Sequence, residues 1–480
     1  MERNSVVTSN LLWRLLERFG AQGVTLVVSI VLARVLDPSF YGTIALVTVI
    51  TTILQVFVDS GLGTALIQKK DADSLDFSTV FYFNFFVCIV LYLLLFLCAP
   101  YISLFYNRPE LTPVIRVLGL ILIISGFKNI QNAYVSRHLL FKLYFFATLG
   151  GTISAAIIGI WMAYHGWGVW ALVAQNLVNQ GIDTIILWIL VKWRPTKEFS
   201  FARLKCMFSY AWKLLLSSLL DTVWNQLRQL IIGKKYNTSD LAYYNKGNEY
   251  PQYATLALNS SIDSVLLPVM SQTQDDPSAV KAMTRRAIKT GSFVLWPIMM
   301  GLAACSKPFV SLVLTEKWLP SVPYLMIFCI VYAFYPIHTA NLNAIKALGR
   351  SDLFLILEIV KKIINLVIIL ITMQFGPLCM ALGAIVGSVF SQIINSWPNR
   401  KLLNYKYIEQ LTDIIPYILL SVLMAVIVYS ISFLNLPDYI TLIIQIPVGV
   451  LIYIGLSWII KLDSFIYCFD IAKKLIRRGK

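Results

Sequence analysis

"VDSGLGTALIQ" runs from Val58 to Gln68, and "IDSVLLPVMSQ" runs from Ile262 to Gln272. Each places an Asp-Ser pair at the close of a long apolar run and a glutamine nine residues beyond the aspartate. Three more pairs of segments answer one another in the same order. Trp13-Arg14 answers Trp212-Lys213, Asn132-Ala133 answers Asn343-Ala344, and Gly166 with Ala171-Leu172 answers Gly376 with Ala381-Leu382. The offset drifts only from 199 to 211 residues, so the chain reads as one helical bundle written twice.

What kind of bundle follows from composition. Of the 480 residues, 58% are hydrophobic and 13% charged, whereas soluble domains carry about 25% charge. Apolar runs of about 20 residues, the length that crosses a ~30 Å hydrocarbon core, recur along the whole chain. The expected fold is an all-α integral membrane protein of about fourteen transmembrane helices. Two pseudo-symmetric six-helix lobes occupy residues 1–200 and 201–403, and residues 404–480 add two helices and a basic tail. Six is even, so both lobes run in the same direction through the membrane. In transporters of this build the substrate path lies between the halves, and one half rocks against the other.

Lysine and arginine accumulate in cytoplasmic loops. With the amino terminus inside, the alternate loops carry twenty-seven of them against six on the other face. Both termini are therefore expected in the cytoplasm, and the net charge of +16 belongs to a surface facing anionic lipid rather than nucleic acid. The first apolar run follows Arg14 and Arg18 without a small-residue cleavage site, and is read as a retained helix. The seven cysteines form no C-x-x-C pair and read as apolar fillers, so no metal site is expected.

Ionisable residues at membrane depth are costly unless they face a cavity or a partner, which makes them candidates for function. Lys213, Ser217, Asp221, Asn225 and Arg228 are spaced to share one helical face. Lys246, with Glu249, Gln252 and Asn259, repeats the pattern on the next helix. Arg116 and Lys128 lie in the fourth helix, twelve residues and so about 120° apart, and at most one of them can face the cavity centre. The candidate cavity set is Arg228, Lys246, Lys213, Asp221, Asn225, Arg116 and Lys128. Candidates for gate or lobe interface are Arg34, Asp59, Asp263, Gln68 and Gln272. Each has a plainer reading: Lys213 can snorkel to the interface, Asp221 can pair with Arg228, and the two aspartates can act as caps. Glu358, Lys361 and Lys362 are read as structural, with Glu358 pairing Lys362 at i, i+4.

Asp71-Ala72-Asp73 has the D-x-D form that holds a metal and a sugar nucleotide in glycosyltransferases, but it lies in a joint of about a dozen residues with no nucleotide-binding domain around it, so that role is not expected. There is no G-x-x-x-x-G-K-[ST] loop, so ATP hydrolysis by this chain is not expected.

At "LARVLDPSFYGTIAL" (Leu32 to Leu46), "VDSGLGTALIQKKD" (Val58 to Asp71), "NAYVSRHLLFK" (Asn132 to Lys142) and "NAIKALGRSD" (Asn343 to Asp352) the sequence resembles the Wzx-type polysaccharide flippases. These belong to the multidrug/oligosaccharidyl-lipid/polysaccharide exporter superfamily, and the likeness is to the colanic-acid and teichuronic-acid branch. The motif positions are Arg34, Tyr41, Gly42, Asp59, Gly61, Gly63 and Gln68. The resemblance implies that an undecaprenyl-pyrophosphate-linked oligosaccharide is moved across the bacterial inner membrane by alternating access through a cationic cavity. It implies no enzymatic step and no cofactor beyond coupling to Na+, H+ or the membrane potential. The implied partners are the lipid-linked oligosaccharide, membrane lipids, and a polysaccharide polymerase with its chain-length machinery. The alternatives are a multidrug or cation antiporter of the same superfamily, which favours an acidic cavity, and a membrane polysaccharide polymerase or ligase, which needs a long outer loop.

Overall fold

The computed structural model describes the backbone of residues 2–59, 61–69 and 71–478. Side chains of residues 2–12, 14–19, 257, 260–265, 351, 471–472 and 474–478 are outside the description, and Asp263 and Arg14 fall among them. Every regular element among the described residues is helical, and the chain divides into two compact units, Met1–Ala242 and Tyr243–Lys480.

The first unit contains α1 (Glu2–Val35), α2 (Pro38–Asp59), α3 (Leu62–Gln68), α4 (Ser74–Tyr106), α5 (Leu111–Leu118), α6 (Leu120–Arg137), α7 (Phe141–Tyr164), α8 (Val169–Leu190) and α9 (Phe201–Lys235). Next, α10 (Thr238–Gln272) carries the chain into the second unit. There follow α11 (Pro277–Ala304), α12 (Ser306–Leu314), α13 (Val322–Ala333), α14 (Tyr335–Ala347), α15 (Ser351–Thr372), α16 (Pro377–Ser396), α17 (Asn399–Leu402), α18 (Tyr407–Ser430), α19 (Asp438–Ile459) and α20 (Asp463–Arg478).

Nine helical stretches among the described residues are long and apolar enough to cross a membrane. The other five expected spans are α1, α8, α9, α10 and α15. They are long enough, at 22 to 35 residues, and each interrupts its apolar run with polar or charged residues. A membrane helix with a polar stripe needs a wet or paired surface on that side. The chain is a multi-pass, all-α membrane protein.

The stretch Val58–Gln68 is a helix break. α2 stops at Asp59, and Gly61 enters α3 with φ +68°. A Cβ at Gly61 would stand 2.8 Å from the Ala211 carbonyl oxygen on α9, so glycine meets both the backbone and the space requirement. Its echo behaves otherwise. α10 continues unbroken to Gln272, and Val265 stands where the first copy has Gly61. A β-branched residue resists positive φ, and the helix carries on. Other paired positions match closely in local form. Gly166 and Gly376 both have positive φ shortly before α8 and α16, and Ala171 and Ala381 are both fully buried. The fourth span of each copy is also broken in two, as α5–α6 and as α13–α14.

In the first unit α7 closes on α8 through Gly151, Ala155 and Gly159. A Cβ at Gly151 would lie 2.7 Å from the Asn179 carbonyl oxygen and 2.9 Å from Asp183 Cβ. Such small-residue stripes let backbones approach where the bilayer offers no hydrophobic drive between helices. An apolar core of Leu62, Leu66, Phe77, Phe81 and Ile130 joins α3, α4 and α6. In the second unit α11 is central, and Ile288 and Phe293 pack with Ile337, Tyr417, Met424 and Tyr453. Beside that core, buried amides lock α14 to α17 and α18. Asn341 Nδ2 donates to Gln410 Oε1 at 2.7 Å, and Asn399 Nδ2 donates to Asn341 Oδ1 at 2.6 Å.

Candidate functional site

A cavity of about 440 Å³ opens within the first unit, lined by α2, α6, α8 and α9. Three of the lining helices, α2, α6 and α8, turn polar residues toward it at helical spacing. From α2 come Thr48, Thr51, Thr52, Gln55 and Asp59. α6 supplies Ser125, Lys128, Asn129 and Asn132, α8 supplies Asn176 and Gln180, and α9 supplies Thr222. The walls are therefore mostly amides and hydroxyls, side chains that both donate and accept hydrogen bonds.

Two charged groups border this space directly, Asp59 and Lys128. The lysine is held from behind by α8: its Nζ lies 2.6 Å from Asp183 Oδ2 and donates to Gln180 Oε1 at 3.0 Å. Asp183 is almost wholly buried, seated where Gly151 lets α7 pass close. Asn129 Nδ2 donates to the Val58 carbonyl at 3.0 Å and ties α6 to the end of α2. Asn132 Oδ1 is buried with no hydrogen-bond partner among the described residues, an acceptor available to a guest hydroxyl. By formal charge, with two carboxylates against one ammonium, Asp59, Lys128 and Asp183 give this cavity no excess of positive charge.

Of the residues selected from sequence, Asp59 and Lys128 meet here. Arg116 does not join them. Its guanidinium stands 4.2 Å from the Phe96 ring centroid, and its Nε donates to the Phe96 carbonyl at 3.4 Å. On α9, Lys213, Asp221 and Asn225 are exposed, while Arg228 is half-buried with its Nε unpartnered among the described residues. Lys246 is buried on α10 and pairs with Glu249 at 2.7 Å. Arg34, Gln68 and Gln272 are exposed at or near helix ends. Asp263 is outside the described side chains. Glu358 pairs with Lys361 at 2.5 Å, one turn away.

The sequence reading passed over Asp183, Gln180, Asn176, Asn129, Asn132 and the α2 threonines as cavity residues. Their signal was present as periodicity: Asn176, Gln180 and Asp183 are spaced four and three on α8. The Asp71-Ala72-Asp73 turn is a helix cap. Asp73 Oδ1 accepts from the Asp76 amide at 2.9 Å, Asp76 Oδ2 accepts from the Asp73 amide at 3.2 Å, and Arg203 pairs with Asp73 at 2.5 Å. His338 meets Asn395 at 3.1 Å as a core histidine.

A multi-pass helical bundle with a polar hollow is the build of a membrane transporter. Residues 31–323 match the family described as polysaccharide biosynthesis protein, more than half of the chain, and the protein belongs to that family. It is 25% identical over 381 residues to the lipopolysaccharide biosynthesis protein WzxC of Escherichia coli (strain K12), covering 78% of this chain and 76% of that one. It is 26% identical over 306 residues to the teichuronic acid biosynthesis protein TuaB of Bacillus subtilis (strain 168), and the match spans 63% of each chain. Among solved structures, the lipid II flippase MurJ in an inward closed conformation superposes with a TM-score of 0.76 at 16% identity, over 94% of this chain and 99% of that one. An inward-facing multidrug resistance MATE family transporter of the MOP superfamily gives 0.62 at 13% identity, over 79% and 94%. At such identities the likeness to solved structures is one of fold.

Proposed function

We propose that this protein is a flippase that carries an undecaprenyl-pyrophosphate-linked oligosaccharide repeat unit from the cytoplasmic to the outer leaflet of the inner membrane by alternating access, for cell-surface polysaccharide synthesis. The observation that carries the reading is the amide- and hydroxyl-lined cavity of the first unit, in a chain of the polysaccharide biosynthesis family. Sugar hydroxyls cannot enter hydrocarbon without losing their hydrogen bonds to water, at a cost of several kcal/mol per group. Asn, Gln, Thr and Ser side chains replace those bonds on one wall while the polyprenyl tail stays in lipid. The names of the relatives WzxC and TuaB, both polysaccharide biosynthesis proteins, agree with such a cargo.

In this reading the sugars occupy the first-unit cavity. The pyrophosphate, which needs uncompensated positive charge, is met elsewhere, with half-buried Arg228 as the candidate. The step is translocation without covalent chemistry, so the protein is not an enzyme. Direction is supplied by the membrane potential or by coupled Na+ or H+. The twenty-seven to six distribution of basic residues supports cytoplasmic termini. A polymerase and its chain-length machinery then receive the flipped unit.

Antiport of small cations is a second reading, and one observation favours it: Lys128 is neutralised by Asp183, which leaves Asp59 facing the cavity. Deletion and complementation separate the two. Under the flippase reading, deletion leaves lipid-linked repeat units on the cytoplasmic leaflet, inaccessible to an impermeant glycan label. The wild-type gene restores labelling, while Arg228→Ala restores less than a tenth of it at equal protein level. Unchanged surface polysaccharide in the deletion strain, together with new sensitivity to cationic dyes, rejects the flippase in favour of the antiporter.

A further inference from the structure

A second cavity, of about 580 Å³, lies within the second unit between α11 and α20. α11 lines it with Arg285, Arg286 and Lys289, and α20 adds Asp463, Ser464 and Tyr467. From this arrangement we infer that the cavity is a binding site for the phosphate headgroup of an anionic phospholipid, separate from the transport path.

Charge makes the first argument. Arg285 is taken by Asp413, at 2.6 Å, and Asp413 also accepts from the Tyr405 hydroxyl at 2.7 Å. Lys289 reaches Asp463 at 3.2 Å, although that carboxylate is largely exposed. Arg286 has no carboxylate within ion-pair reach among the described residues. Its guanidinium instead stands 5.3 Å from the Tyr467 ring centroid, a contact that orients the group and leaves its N–H edge for an anion.

Position makes the second argument. α11 bears Lys281, Arg285, Arg286 and Lys289 in its first half, and from Thr290 to Ala304 it has no charged residue. The cavity therefore lies where α11 passes from water into hydrocarbon, at headgroup level.

α20 makes the third. It is anchored rather than loose: Phe465 packs 6.3 Å from Phe293, and the Tyr417 hydroxyl meets Ser464 Oγ at 2.7 Å. Ile466 and Phe469, on the same helix, remain exposed. A lipid whose headgroup is held by Arg286 and Lys289 puts its acyl chains into the same bilayer that takes up the exposed apolar residues of this helix. A soluble phosphate would leave them bare, which favours a lipid as the occupant. Interfacial helices that combine an apolar face with basic residues hold anionic membranes in this manner.

The test uses the full chain, purified in neutral detergent and read by native mass spectrometry. The probes are phosphatidylglycerol, phosphatidylcholine, glycerophosphoglycerol and inorganic phosphate. Phosphatidylglycerol is expected to bind saturably, and the other three not at the same concentration. Arg286→Gln and Lys289→Gln should each weaken it roughly fivefold, as for one basic residue at an anionic surface, while Arg286→Lys retains most of the binding and reports on folding. Equal retention of phosphatidylcholine, or unaltered binding in the Arg286→Gln/Lys289→Gln double variant, overturns the inference. Competition by inorganic phosphate at equal concentration overturns it too, by making the cavity a soluble-anion site.

Discussion

Lys128 and Asp183 form a 2.6 Å ion pair between α6 and α8, and the aspartate is the more deeply buried of the two. Asp183 Oδ1 has no partner among the described residues, so Lys128 is the main compensation its charge receives. Removing one member of a buried pair costs about 3–5 kcal/mol, because the other charge is left uncompensated, whereas replacing both by apolar groups is often neutral. Lys128→Met will therefore lower the thermal unfolding midpoint in detergent markedly. Lys128→Met with Asp183→Leu will recover most of the loss. If the double variant is no more stable than the single, the pair is not what joins these helices.

That pair also shows how far the sequence could be read. The all-helical, membrane-spanning character of the chain and the polar stripes on its helices were legible, because helical periodicity and hydropathy are local properties. Lys128 could be seen as an intramembrane cation, but its partner lies fifty-five residues away on a helix whose polar residues look unremarkable singly. The pair depends on how α6 and α8 are packed, and the residue that lets α7 lie against Asp183, Gly151, carries no chemistry of its own. For this reason a list of buried cations suggested a basic cavity, while the folded first unit neutralises Lys128 and turns Arg116 onto Phe96. The break after Asp59 had a visible signal in Gly61, and its absence from the second copy had one in Val265. The fate of Asp71-Ala72-Asp73 was legible too, since a capping acid three residues ahead of another at a helix start is a local pattern.

Gly151 supports the cavity through packing alone. Even alanine at this position places a methyl group 2.7 Å from a backbone oxygen, and valine adds more bulk against Asp183. Gly151→Val will destabilise by about 1–3 kcal/mol, the usual range for overpacking, and will loosen the α7–α8 contact. Gly166→Ala offers a contrast, because nothing lies within 4 Å of its added Cβ and the only cost is its φ of +78°. Thermal unfolding of both variants, with a crosslinking assay between α7 and α8, checks the difference. Intact crosslinking in Gly151→Val would remove the packing argument.

At the α4 entrance, the Arg203 hydrogen bond and then the Asp76 amide hold the Asp73 carboxyl down to about 2. A carboxyl depressed in the folded state contributes stability that is fully present above its ordinary value of 3.8 and is lost as pH falls through about 2. The cap will therefore stay closed from neutral pH down to about 4. Without its guanidinium partner, in Arg203→Gln, the carboxyl moves back toward its ordinary value and opening begins at higher pH. Limited proteolysis at the Lys69–Ser74 joint across pH 3 to 7 reads this out, with the variant expected to become sensitive first. Equal sensitivity of the two proteins would show that Arg203 does not hold the cap.

Asp59 and Asn132 line the same cavity, yet the two functional readings assign them opposite weight. If uncharged sugar hydroxyls are the guests, the amides matter, and Asn132 is the clearest case because its Oδ1 is an unsatisfied acceptor. Removing one such bond costs about 0.5–1.5 kcal/mol, a loss of roughly two- to tenfold in occupancy. Asn132→Leu and Gln180→Leu should then lower surface polysaccharide by that order at constant protein level, while Asp59→Asn, which keeps shape and hydrogen bonding, should leave export within about twofold. If small cations are the guests, the single facing carboxylate dominates: Asp59→Asn abolishes transport and Asn132→Leu is nearly silent. Quantifying cell-surface glycan and cationic-dye efflux for these three variants in one host decides between the readings, because no single pattern of losses satisfies both.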